Sequence, residues 1–437
     1  MQSQKQLRNL VLSIVLRSAA AVFAIAVVLT VALTQFVQAQ MFTEGGNRPE
    51  KVLHNFGNDT DGVSPSGLIF DSFGNLYGTT ASGGISGLGT AFELTPDGHG
   101  GWSENVLHNF GGPDGAEPSS GLIFDFAGNL YGTTLAGWDS NIGTIFKLTP
   151  KADGEWAENV LYNFNGDGYM PSSTLISDAA GNLYGTTQGG GEGEYPYGTV
   201  FELTLSPNPV RGGWRAKVLH GFNGADGSQP WLGSLIFDRA GDLYGTTNRG
   251  GTYGAGVVFE LMPTADGSWT ETVLHSFSQD GTDGILPFAG VVFDAAGNLY
   301  GTTWVGGSND AGTVFKLTPS QNENWTETVL HSFGSGTDGA NPAAGLIFDA
   351  AGDLYGTTGA GGDFGYGTVF EFVPNGDRGW TEQILYSFRN SPDGNDPNTP
   401  LVMDKTGNIY GSTGTGGTYG KGTTYEIIRD HTGGNIR

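Results

Sequence analysis

Apolar and polar residues alternate along short stretches of this chain, and the stretches return in a fixed order. Trp325, Glu327, Val329 and His331 stand on one side of a two-residue period, with Thr326, Thr328, Leu330 and Ser332 on the other. That period predicts a half-buried strand over residues 325–333. Three strand signals precede it, at residues 290–293, 298–303 and 312–317. Each is rich in β-branched or aromatic residues and is bounded by Gly, Asn, Asp or Pro. No 3.6-residue period occurs after residue 40, so no helix is expected there.

This four-strand unit recurs seven times. Its core reads Asp-x-x-Gly-Asn/Asp-Leu-Tyr-Gly-Thr-Thr and leads through a Gly-rich stretch to Gly-Thr-Val-Phe-Glu-Leu. The core tyrosine falls at Tyr77, Tyr131, Tyr184, Tyr244, Tyr300, Tyr355 and Tyr410. Steps of 53 to 60 residues between them mean one supersecondary unit repeated. Four antiparallel strands in such a unit make a propeller blade, so the expected fold is all-β, a seven-bladed β-propeller of four-stranded antiparallel blades. The two ends set the phase. Residues 51–56 form a fourth strand with no unit in front of it, and the last unit stops after its third strand, at residues 423–428. Strand 51–56 is therefore expected to complete the last blade and close the ring, leaving no open edge at the seam. The competing phase starts every blade with its His strand and needs no seam.

Composition narrows the partners. Gly is abundant, 76 of 437 residues, but has no collagen-like period, and aromatics at 12% can build a core. A net charge of −25 makes nucleic acid and anionic membrane surfaces poor partners. There is no cysteine, hence no disulfide or thiolate metal site. Lys5, Arg8 and Arg17 precede an uncharged run from Ala19 to Leu33, and Val37 and Ala39 stand at −3 and −1 before Gln40. This predicts a secretory signal peptide over residues 1–39, its apolar run being short of the roughly 20 residues a membrane span needs. A short linker (40–49), the propeller (50–430) and a tail (431–437) complete the expected organisation. The expected location is secreted, periplasmic or cell-surface. A membrane is a partner only if the signal segment is retained as an anchor, and a monomer is expected.

The chain resembles the GloVer-type (Gloeobacter/Verrucomicrobium) tandem-repeat proteins. Gly-Asn-Leu-Tyr-Gly-Thr-Thr at residues 181–187 and Gly-Thr-Val-Phe-Glu-Leu at residues 198–203 carry the resemblance, which covers about residues 50–430. It implies a secreted bacterial β-propeller. Relatives often carry a C-terminal surface anchor, which residues 431–437 do not supply, so export is implied without attachment. The family offers no catalytic residue to carry over.

Each repeated motif has a structural reading. In Asp-x-x-Gly-Asn/Asp (Asp71, Asp125, Asp178, Asp238, Asp294, Asp349, Asp404), the carboxylate accepts backbone N–H bonds in a tight turn. Calcium binding would need more oxygens than the one or two each turn offers. Asp-Gly-x-x-Pro (Asp61, Asp114, Asp167, Asp226, Asp283, Asp338, Asp393) reads as the crossover from one blade's outer strand to the next blade's inner strand. Its seven carboxylates would otherwise ring the channel mouth. His54, His108, His220, His275 and His331 share one outer-strand position with Tyr162 and Tyr386, which argues for packing over catalysis or metal ligation. Trp102, Trp156, Trp214, Trp269, Trp325 and Trp380, one ahead of each outer strand, are expected to seal blades together. No metal or cofactor is expected.

Residues that break the repeat carry the functional signal. Trp138 and Trp304 fall in loops between second and third strands, and Trp231 follows Asp-Gly-Ser-Gln-Pro. In the favoured phase both loop types emerge on one face. Tyr169, Tyr195, Tyr197, Tyr253, Phe288, Phe364, Tyr366 and Tyr419 map there too, with the acids Glu117, Asp139, Glu192, Glu194, Asp310, Asp363 and Asp396. Aromatic rings beside acids on loops suit a glycan or a protein ligand. A non-catalytic binding or scaffold propeller is therefore the expected function. The alternative is a polysaccharide hydrolase or lyase on the same face. A glycosidase needs two carboxylates roughly 5–10 Å apart, and nothing in the sequence pairs Glu192, Glu194 or Asp310.

Overall fold

A computed structural model describes residues 48–429, apart from 58–59, 138–141, 166, 192–196, 207–212, 321–323 and 377–378. The strands form seven four-stranded antiparallel blades in a ring. Blade 5 is typical: inner strand Val292–Phe293, then Leu299–Thr303, Thr313–Pro319 and outer strand Trp325–Ser332, paired in that order. The seam is as expected. Strand Glu50–Asn55 pairs antiparallel with Thr423–Ile427 and is the outer strand of blade 7. Arg48 and Lys51 hold it further, through ion pairs to Glu371 (2.9 Å) and Glu426 (3.7 Å).

Period-2 alternation holds along each outer strand only as far as its valine, or Ile384 in blade 6. A bulge then shifts the register by one, so that Val329 faces Phe315 but His331 faces Val314. The same shift recurs in all seven outer strands. It breaks the alternation that the sequence suggests through His331, because the extra residue, Leu330, has no partner across the ladder.

The second strand is buried along its whole Leu-Tyr-Gly-Thr-Thr segment, since neighbouring blades cover both faces. Its glycine is there for space. Gly301 sits opposite Phe315, and a Cβ on it would stand 2.6 Å from that ring. The other six blades repeat the clash, with Tyr425 taking the phenylalanine position in blade 7. The paired threonines are buried and bonded to each other, as in Thr303–Thr313 at 2.7 Å.

The core lies between blades. Each of seven hydrophobic clusters draws on two neighbouring blades, one joining Tyr300, Val314 and Phe333 to Leu346, Phe370 and Phe372. The phenylalanine after each outer strand meets the third-strand ring of the next blade at 4.9–5.3 Å, edge-on except for the tilted pair Phe333–Phe370. The tryptophan that opens an outer strand packs on the previous blade's core tyrosine, as Trp156 on Tyr77 (6.1 Å) and Trp380 on Tyr300 (5.8 Å). A buried aromatic side chain hides ~150–250 Å², worth up to roughly 4–6 kcal/mol before conformational entropy is subtracted.

Two sets of connections cap the ring. One face carries the Asp-x-x-Gly turns. There Asp294 accepts N–H bonds from Ala296 and Asn298 (2.9 Å each), the Asn298 amide (2.6 Å) and the Tyr300 hydroxyl (3.1 Å). Donors thus occupy both carboxylate oxygens, which accounts for the turn without a cation. Where the third strand offers Glu, the core tyrosine bonds to it, as Tyr410 to Glu426 (2.9 Å). Where it offers Lys, the ammonium lies over the ring, as Lys147 at 5.3 Å from the Tyr131 centroid. Both ends of the described ring sit at this turn face. Ile428 donates to the Pro49 carbonyl (3.0 Å), and Arg429 N–H to Asn408 of the last turn (2.9 Å).

Candidate functional site

The opposite face carries the crossovers and the loops between second and third strands, and the two are bonded together in every blade. Val63 pairs with Ser82, Ala116 with Ala136, Tyr169 with Gly189, Ser228 with Arg249, Ile285 with Val305, Ala340 with Ala360 and Asn395 with Thr415. The residue before each crossover proline has a left-handed backbone. Ser64, Glu117, Met170, Gln229, Leu286, Asn341 and Asp396 all lie at φ 54–60°. Such a conformation costs about 1–3 kcal/mol outside glycine and persists only where surroundings enforce it. Here both backbone groups are bonded. Its N–H donates to a carbonyl of the preceding blade, Leu286 to Ala255 at 2.9 Å, with a range of 2.6–3.2 Å around the ring. Its carbonyl accepts from its own blade, Leu286 from Trp304 N–H at 3.0 Å. The carbonyl on the preceding blade belongs to the residue just ahead of a glycine such as Gly312 (φ 99°), on which a Cβ would meet the Thr303 carbonyl at 2.4 Å.

Inside this ring of clamps lies a central cavity of about 430 Å³ walled by all seven blades. Its lining is mostly small: Ser66, Ser120, Ser172, Gly290, Ala344 and Thr399 are typical. Asp396 also lines it, and burial holds its carboxyl above the usual range. The crossover aspartates do not ring its mouth. Each turns outward to the bulged outer strand, where His108 Nε2 meets Asp114 at 2.7 Å and His331 meets Asp338 at 3.1 Å. Tyr162 bonds Asp167 and Tyr386 bonds Asp393 in the same way. His and Tyr share the position because each can present a donor to that carboxylate.

Of the residues singled out by sequence, Trp231, Phe288 and Trp304 come together. Trp231 and Phe288 meet edge-on at 5.8 Å, and Phe288 and Trp304 at 5.2 Å. Both indoles are well exposed, 38% and 39%. Their backbones are fixed by neighbouring blades: the Ser172 hydroxyl donates to the Trp231 carbonyl (2.8 Å), and the Asn341 amide to the Trp304 carbonyl (3.0 Å). Leu232 and Ala289, the next residues after Trp231 and Phe288, line the cavity. The three rings thus form an arc on its rim across blades 4 and 5.

The remaining candidates are dispersed. Tyr253, Phe364 and Tyr419 stand exposed at equivalent loop tips, and the Arg389 guanidinium covers the Phe364 ring at 4.9 Å. Tyr197 and Tyr366 supply clamp carbonyls, to Gln229 and Asp396, and leave their rings partly exposed. The Tyr169 ring lies over Gly189. Among the described residues no ring contact joins these six to the arc. Trp138, Tyr195, Asp139, Glu192 and Glu194 lie outside the described residues. Asp310, the remaining candidate acid for catalysis, accepts the Gly306 N–H at 3.2 Å. Sequence reasoning missed Phe73 and Phe126, both highly exposed on the turn face; each follows a turn aspartate by one or two residues.

A family model described as the Gloeobacter/Verrucomicrobia repeat matches residues 41–192, 99–292 and 266–435. Among solved structures, the chain is similar to the extracellular domain of a putative hybrid two component system from B. thetaiotaomicron. The TM-score is 0.53 at 13% identity, over 86% of this chain and 39% of that one. The likeness is one of fold, and this chain spans well under half of that neighbour. No curated protein matches. Among the described residues no helix is long and apolar enough to cross a membrane.

Proposed function

Since the chain belongs to the Gloeobacter/Verrucomicrobia repeat family and closes as a seven-bladed propeller, we propose that it is an extracytoplasmic, non-catalytic binding propeller that takes a neutral glycan on its loop face. The observation that carries this reading is the exposed arc of Trp231, Phe288 and Trp304 on the rim of the central cavity. Apolar faces of sugar rings stack on aromatic rings, whose bodies supply area while a small polar cavity beside them supplies hydrogen bonds. Exposed aromatic clusters on a charged, soluble surface are otherwise a liability. The clamps add rigidity, because they fix the loop backbone through main-chain bonds and leave the side chains free to set specificity. An extracytoplasmic setting is supported by the signal-like segment at residues 1–39 and by the extracellular origin of the structural neighbour.

The test is retention of the full chain on a panel of neutral polysaccharides, beside Trp231→Ala and Trp304→Ala. Wild-type protein is expected to be retained on at least one polymer. Either substitution is expected to weaken retention about tenfold or more, the equivalent of about 1.4 kcal/mol. Equal retention of all three proteins would refute the arc as the binding surface. Release of reducing ends from the retained polymer would favour the hydrolase alternative.

A further inference from the structure

Away from the loop-face arc, three blade interfaces hold a cluster that the binding function does not use. His108 and Asp114 meet Glu158 of the next blade's outer strand, His220 and Asp226 meet Glu271, and His331 and Asp338 meet Glu382. In each, one imidazole nitrogen and two carboxylate oxygens lie within 4.8 Å of one another. The aspartate is already oriented. Its Oδ1 accepts a backbone N–H, from Gly111 (2.8 Å), Asn223 (2.9 Å) or Gly334 (2.8 Å), while Oδ2 faces the imidazole at 2.7, 3.2 and 3.1 Å.

The glutamate is the anomaly. Oε1 of Glu158, Glu271 and Glu382 is buried and meets no hydrogen-bond donor among the described residues. Burial, and then the neighbouring aspartate, pushes each of these carboxyls up to about 7. A buried polar atom left without a partner costs of order 1–3 kcal/mol, and more when charged. Two carboxyls and one imidazole thus converge at each of these half-buried interfaces, a donor set that suits a cation.

We propose that these three interfaces are divalent-cation sites. Each takes one borderline first-row ion such as Zn²⁺ on the His Nε2 and the two carboxylates, pinning adjacent blades together. Nitrogen-plus-oxygen donors of this kind suit such an ion, and its two positive charges neutralise the pair of carboxylates. Ligand atoms about 2.0–2.2 Å from an ion stand roughly 3.0–3.5 Å from each other. The His–Asp spacing matches at 3.2 and 3.1 Å in the second and third clusters and must open from 2.7 Å in the first, and side-chain rotation brings the glutamate in. The backbone N–H on Oδ1 is the outer support such ligands need.

Two interfaces have no imidazole. At that of blades 2 and 3 the histidine is Tyr162 and the glutamate is Ala216, so the Tyr162 hydroxyl serves Asp167 alone; at that of blades 6 and 7 Tyr386 bonds Asp393 while Glu50 keeps the third carboxyl. The expectation of no metal rested on tyrosine standing at a histidine position; it does not apply where each interface has its own donor set.

The experiment uses the full chain, stripped with chelator and titrated with ZnCl₂ by calorimetry, with bound zinc counted by mass spectrometry. E158Q, E271Q, E382Q and the triple variant are run beside it. Wild type is expected to bind at least three ions, one per cluster, with dissociation constants of about 1 μM or tighter. Each single variant should lose one ion and the triple variant all three. Zinc should raise the melting temperature of wild type and leave that of the triple variant unchanged. Should the triple variant not fold, Co²⁺ added to wild type gives the second reading, through visible bands of mixed nitrogen and oxygen ligation and broadened imidazole resonances of His108, His220 and His331. No binding by wild type at 10 μM zinc (about 7 kcal/mol of binding energy), equal stoichiometry in the triple variant, or all-oxygen ligation of Co²⁺ each overturns the proposal.

Discussion

On the turn face of the ring, Asp71, Asp125, Asp178 and their four counterparts take backbone N–H donors onto their own carboxylates. On the loop face, the seven pre-proline residues hold the ring through their backbones, and their side chains are Ser, Glu, Met, Gln, Leu, Asn and Asp. The two faces thus solve the same problem, capping strands between blades, in opposite ways. Where a side chain makes the bonds its identity repeats, and where the main chain makes them the side chain is released. A repeat built this way can change what its loop face presents without changing how the ring closes.

Substitutions can break or sharpen that contrast. The largest effect is expected on the turn face: Asp294→Ala removes the acceptor for two backbone amides, the Asn298 amide and the Tyr300 hydroxyl, and should cost ~3 kcal/mol in urea unfolding. Next comes the buried second strand. Gly301→Ala drives a methyl against Phe315 and should cost ~2 kcal/mol by the same measurement. Tyr425→Phe should move stability the other way. Among the described residues its buried hydroxyl has no hydrogen-bond partner, where the other blades have Phe, so a gain of ~1 kcal/mol is expected. On the loop face, Trp304→Ala should change unfolding stability by less than ~1 kcal/mol, although it abolishes the proposed stacking. A loss as large as that of Asp294→Ala would erase the distinction between faces.

A pH series gives the smallest and most specific signal. Burial, and then Asp61, raises the Glu104 carboxyl from 4.5 to about 7. Its folded value lies above the unfolded one, so the unfolded chain releases this proton first as pH rises. The glutamate's contribution is whole below pH 4.5 and is lost as pH passes through about 7. Glu104→Gln should therefore raise the melting temperature at pH 8 relative to wild type and change it little at pH 4. The same difference at both values would show that charge is not the cause.

Much of the scaffold was legible. The Tyr-Gly-Thr-Thr spacing fixed the blade number, the two orphan strands fixed the seam, and the turn aspartates had a local reason for being there. What stayed hidden depends on which side chains meet across strands and across blades. The glycine of Tyr-Gly-Thr-Thr falls inside a predicted strand with no stated reason, and it is there because a phenylalanine ring from the adjoining strand needs its space. The exchange of His for Tyr becomes intelligible only once the crossover Asp is seen as the shared acceptor. The bulge that carries His331 across from Val314 has no marker in Val-Leu-His-Ser. One signal was present and unused: Tyr162 and Ala216 depart from the repeat together, one unit apart, as residues that share a contact would. For the loop-face arc, Trp231 and Trp304 could be assigned a face from sequence, but their meeting through Phe288 could not.

The meeting of Pro49 and Ile428 at the turn face has a practical corollary. Arg48 and Arg429 stand on the side away from the variable loops. Immobilising the protein through a residue at either of these positions, on a sensor chip or a bead, would point the aromatic rim toward bulk solution. Coupling through a loop-face residue would instead bury that rim against the support.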